Sequence, residues 1–145
     1  MDLIPGVSAK ILTLSLKRKY NERAHQATDS LTTKRKRANM LTKEELYDQA
    51  LTSFGNNELD KAVAAFDELT KQYPNYVDGY VGLGHAYERL NRYDEAIEAI
   101  KKAVEVAPND PLVYTSLSVC YQRKGMIPEA EEAMAKSQQL QMGGA

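Results

Sequence analysis

The sequence predicts an all-α fold: a helix–turn–helix repeat solenoid of three units and six helices, carried behind a basic N-terminal arm. Three observations predict it. Ala62, Ala96 and Ala130 stand 34 residues apart each time. The same period links Phe66, Ile100 and Met134, then Leu46, Tyr80 and Tyr114, then Leu59, Tyr93 and Ile127. Each 34-residue unit holds two helical patterns separated by a turn, and that combination is the mark of a stacked helical array. One such unit cannot bury its apolar face alone, so about three must stack to be stable. The chain holds three, over 43–76, 77–110 and 111–142.

The composition changes near residue 40, which divides the chain into an extension (1–39) and a repeat domain (40–145). In the extension ILTLSL alternates apolar and polar residues, which favours an extended segment. NERAHQATDSLTTKRKRAN has no clear period, so the arm is expected to be disordered or loosely attached. Met40 stands at the junction, which leaves open that 1–39 is an upstream start.

Thr42 is a good N-cap, and Glu45 three residues later completes a capping box. Leu46, Ala50, Ser53 and Phe54 then form one face of the first helix. Gly55-Asn56-Asn57 makes the turn, because Gly and Asn tolerate the left-handed conformation that ends helices. The second helix covers 59–72, with Ala62, Phe66 and Leu69 inward, and Tyr73-Pro74-Asn75 stops it. The second unit places Tyr80, Leu83, Gly84 and Tyr87 inward, turns at Leu90-Asn91-Arg92, places Ala96, Ile100 and Ala103 inward, and stops at Pro108. The third begins at Pro111, carries Tyr114, Leu117, Ser118 and Tyr121, turns at Lys124-Gly125, and continues with Ala130, Met134, Ser137 and Leu140. The small residues Ala50, Gly84 and Ser118, with Ala62, Ala96 and Ala130, belong where paired helices cross closely.

These residues resemble the tetratricopeptide repeat, whose signature pairs a small–aromatic first helix with an Ala…Phe…Pro second helix. LGHAYERLNRYDEAIEAIKKAVEVAP matches almost throughout, and the resemblance covers about 43–142. The first unit departs at Gln49 and Ser53, the last at Met142. The resemblance implies that the first helix of each unit lines a concave surface. Carried over position by position, the lining is Tyr47, Leu51 and Phe54 in unit one, Val81, His85, Glu88 and Arg89 in unit two, and Leu112, Thr115, Val119, Gln122 and Arg123 in unit three. The face is largely apolar in unit one and mixed beyond it, which suits an amphipathic partner helix or an extended peptide. The arm or a second copy of the chain is the competing occupant. Repeats that bind the C-terminal carboxylate of heat-shock chaperones present Lys, Arg and Asn there. The matching positions are Tyr47, Leu51, Gly82, Leu112 and Ser116, none of which donates a charge-assisted hydrogen bond.

Net charge is −1, with an asymmetry beneath it. Residues 1–39 carry nine Lys/Arg against three acids, and the remaining ten Lys/Arg face 17 acids. The arm's basic runs are Lys17, Arg18 and Lys19, then Lys34, Arg35, Lys36 and Arg37. Three readings stand: contact with an anionic partner, a nuclear import signal, or a solvated tail. There is no secretory signal pattern and no run of ~18 apolar residues, so the expected location is cytoplasmic.

No catalytic constellation is present, and no enzyme, cofactor or metal is expected. His25 and His85 lack ligand-spaced partners. Cys120, the single cysteine, sits mid-helix without a flanking base and reads as a buried structural thiol. GYVGLG lies inside a helical repeat rather than after a strand, so it is no phosphate loop. Glu95, Glu98, Glu129, Glu131 and Glu132 read as a solvated face of the second helices. The function expected is a non-catalytic protein–protein interaction module or adaptor. The alternative is a structural or self-assembling subunit whose arm contacts an anionic partner. Polar Glu131, Glu132, Lys136, Gln138 and Gln139 on the final helix favour a monomer.

Overall fold

The computed structural model describes residues 41–143. Within them six helices follow one another: α1 (Lys43–Gly55), α2 (Leu59–Gln72), α3 (Val77–Arg89), α4 (Tyr93–Val106), α5 (Pro111–Lys124) and α6 (Ile127–Gln141). The expected six-helix repeat array is therefore present, and α2 and the start of α5 fall on the residues read from periodicity. The readings for the basic arm and for ILTLSL fall outside the described residues.

The turns repeat with the helices. Inside each unit one residue takes the left-handed conformation: Asn57 (φ 62°), Asn91 (φ 60°) and Gly125 (φ 87°). These are 34 residues apart, so the backbone turn keeps the period of the side chains. Gly55 is the last residue of α1; it is Asn57 that uses the positive φ, which Asn tolerates better than other side chains. Between units the link is also periodic. The Tyr80 hydroxyl donates to the Pro74 carbonyl at 2.9 Å, and the Tyr114 hydroxyl donates to the Pro108 carbonyl at 2.8 Å. Asp110 caps α5 by accepting from the Leu112 N–H at 2.9 Å, with Pro111 at the first helical position, where its missing N–H costs nothing.

The core lies along the seams between helices. Ala50, Ala62, Phe66, Leu69, Ala96, Ile100, Ala103, Val113, Cys120 and Ala130 are almost wholly shielded from solvent. Close crossing explains the small residues. A Cβ on Gly84 would stand 2.4 Å from Ile100 Cδ1 and 3.3 Å from the Ala96 carbonyl oxygen. One unit later Ser118 replaces Gly84, and its hydroxyl donates to the Ala130 carbonyl at 2.7 Å, fully buried. The same crossing is thus closed by bare backbone in unit two and by a hydrogen bond in unit three.

Cys120 is fully buried, and burial, assisted by the Glu88 charge, pushes its thiol from 9.0 up to about 12. Two outcomes are expected. A thiol reagent should leave the native chain unmodified at neutral pH and titrate one thiol after denaturation. Stability should be complete below the unfolded thiol's pKa and decline as pH rises from about 9 toward 12, because the unfolded state releases its proton first. Thermal melts of wild type and Cys120→Ala should converge in that window; parallel slopes would show that the thiol does not contribute.

Candidate functional site

The first helices and the second helices pack differently. α1 meets α3 and α3 meets α5, whereas α2, α4 and α6 touch only first helices. A layer whose members touch, backed by a layer whose members are spread, curves toward the touching side. The outer face of α1, α3 and α5 is therefore the inside of the curve.

On that face the structure sorts the expected lining residues into three states. Leu51 and Leu112 stand open to solvent, 41% and 69% exposed. Val81 and Val119 are half-buried, and Val81 packs on the core formed by Ala96, Ile97 and Ile100. Gln122 is exposed.

Other side chains are engaged with one another. Arg89 reaches back to the first turn, donating to the Phe54 carbonyl at 3.3 Å and to Asn57 Oδ1 at 3.1 Å. Its guanidinium lies 4.7 Å from the centre of the Phe54 ring, a cation–π geometry. Phe54 and Arg89 thus cover each other and tie unit two to unit one. Glu88 lies between two partners. Its Oε2 is 3.4 Å from His85 Nδ1 and its Oε1 is 3.2 Å from Arg123 Nε. Nε2 of His85 is 3.4 Å from the Ser116 hydroxyl. This polar group bridges α3 to α5 across the middle of the face.

The remaining two turn inward. Thr115 spends its hydroxyl within unit three, 2.8 Å from the Ser137 hydroxyl and 3.2 Å from the Pro111 carbonyl. Tyr47 meets Phe66 and Tyr76 edge-on, with ring centres 6.1 Å and 5.6 Å away. Burial, then Asp78 and Asp48, raise the Tyr47 phenol; burial and then Asp78 push Tyr76 up to about 12. Both remain neutral donors at any ordinary pH. Sequence reasoning missed Tyr76, which brings Lys43 over its ring at 5.0 Å, and it missed Ser116 as a partner of His85. Tyr76 directly precedes α3, so no helical period marks it.

The Tetratricopeptide repeat family model matches the chain twice, over residues 47–112 and 82–145. The chain belongs to the tetratricopeptide repeat family. Solved structures share its fold. MamA is 26% identical, with a TM-score of 0.66 over 70% of this chain and 60% of MamA. The type III secretion translocator chaperone SycD of Yersinia enterocolitica is 24% identical, with a TM-score of 0.65 over 68% of this chain and 75% of SycD. A further crystal structure holds SycD in complex with a peptide of the translocator YopD, with a TM-score of 0.64 at 24% identity over 67% of this chain and 74% of SycD. No curated protein matches the chain. Among the described residues of this tetratricopeptide repeat protein, no helix is long and apolar enough to cross a membrane.

Proposed function

We propose that the chain is a non-catalytic adaptor whose α1–α3–α5 face binds an apolar-anchored segment of another protein, either a peptide or an amphipathic helix. The observation that carries this reading is the exposure of Leu51 and Leu112 on a layer whose other apolar members, Phe54, Val81 and Val119, are partly covered. Exposed anchors of this kind, set among partly buried apolar neighbours and a central polar group, suit burial against a partner. The family supports a protein-interaction role, and a related fold in SycD accepts a peptide. Glu88 and Arg123 place charges across the middle of the face, which select for charge and register more than for strength.

The test is recovery of partners from native lysate by the full chain and by the Leu51→Glu/Leu112→Glu variant. Both side chains are already wet, so the variant should melt within a few degrees of wild type. Loss of specific partners by the variant is the expected result. Equal recovery of every partner by both forms would remove this face as the binding surface.

A further inference from the structure

On the opposite side of α5 from Val119, as helical spacing places Tyr114, Leu117 and Tyr121, lies an open cavity of about 570 Å³. Those three residues form its floor, and Glu129, Ala133 and Lys136 of α6 form its wall. Each has a counterpart 34 residues earlier. Tyr80, Leu83, Tyr87, Glu95, Ala99 and Lys102 line a cavity of about 300 Å³ in unit two.

The chain itself supplies a cation beside the cavity in unit two. The Arg92 guanidinium lies 4.8 Å from the centre of the Tyr87 ring. It donates to Glu95 Oε1 from Nε at 3.1 Å and from the terminal nitrogen at 3.0 Å. Unit one keeps an ion pair at the same two positions with the charges exchanged, Glu58 with Lys61. Unit three keeps the aromatic ring and the carboxylate, as Tyr121 and Glu129, but Met126 stands where Arg92 would. Met126 packs on the core. Glu129 has no hydrogen-bond or ion-pair partner among the described residues. Unit three therefore holds the receiving half of an arrangement that unit two completes internally.

We infer that the α5–α6 cleft receives an arginine side chain from a partner polypeptide. The guanidinium lies against the Tyr121 ring and pairs with Glu129, and the methylene stem rests on Leu117. Arginine fits better than lysine, because a planar fork both stacks on an aromatic face and bonds a carboxylate with two N–H groups. Lys136 does not forbid it, since Lys102 lines the corresponding cavity in unit two together with Glu95, which still pairs with Arg92. This cleft and the α1–α3–α5 face are on different sides of α5, so either proposal can fail without the other.

The experiment uses the full chain labelled for NMR and titrated with a capped arginine amide, with capped citrulline amide as its neutral counterpart. Saturable shifts at Tyr121, Glu129 and Ala133 are expected with arginine and not with citrulline. Met126→Arg should abolish them by filling the slot from within. Glu129→Gln, a near-isosteric change on a helix surface, should weaken binding roughly two- to five-fold, the scale of a partly exposed ion pair. Equal shifts with citrulline, shifts unchanged in Met126→Arg, or no saturable shift would each overturn the inference. Shifts that grow with protein concentration before any probe is added would assign the cleft to a second copy of the chain and overturn it too.

Discussion

Ala96→Leu is expected to lower the melting temperature sharply. Ala96 is completely buried, and its carbonyl oxygen already stands 3.3 Å from where a Cβ on Gly84 would be. Three extra carbons at this crossing of α3 and α4 have nowhere to go except by parting the helices. Overpacking typically costs ~1–3 kcal/mol, and each kcal/mol shifts the midpoint by roughly 4–8 °C in a domain of this size. The location amplifies the effect. The α3–α4 unit is the middle one, and a repeat stack is held by nearest-neighbour interfaces. Loosening it weakens its contacts with units one and three together. Differential scanning calorimetry should show a lower midpoint and a broader transition. A midpoint within a few degrees of wild type would show that the crossing can open at little cost.

The fold was legible because repetition turns local signals into a global constraint. Ala62, Ala96 and Ala130 mark the same crossing three times, so one ambiguous position cannot shift the register. Even the left-handed turn residues Asn57, Asn91 and Gly125 obey the period. The candidate binding face was legible only as positions. What each side chain does there depends on residues that break the repeat. Thr115 turns inward because Ser137 supplies a hydroxyl where the earlier units have Ala103 and Leu69. Phe54 is covered because Arg89 reaches it from 35 residues away. Glu129, read as part of a solvated face, is half-buried at the wall of a cavity. The missing internal cation beside Glu129 shows only when Met126 is aligned with Arg92, a comparison the sequence permits but helical periodicity alone does not suggest.

A matched pair of residues is expected at the joint between units one and two. Gly82 lies on α3 directly over the Phe66 ring, and a Cβ there would stand 2.3 Å from Phe66 Cε1. One unit later the corresponding residues are Ser116 and Ile100. A side chain at this position is therefore accommodated where the second-helix residue is isoleucine, and absent where it is phenylalanine. In an exposed helix, replacing glycine stabilises, by up to about 1 kcal/mol for alanine. At Gly82 packing should reverse that sign. The Phe66 ring is rigid, fully buried, and held edge-on by Tyr47, so it cannot yield by changing one terminal rotamer. Gly82→Ser alone should destabilise by ~1–3 kcal/mol. Phe66→Ile alone should also destabilise, through lost burial and a residual cavity. Combined, the two changes recreate the Ile100–Ser116 pairing, and the hydroxymethyl group occupies part of the space the ring leaves. The double variant should then be more stable than the sum of the single losses by ~0.5–3 kcal/mol, the range of coupling between residues in contact. Urea denaturation of the four chains measures that coupling directly. Strict additivity would mean that Gly82 and Phe66 are not matched, and that the glycine at this joint reflects something other than the ring above which it sits.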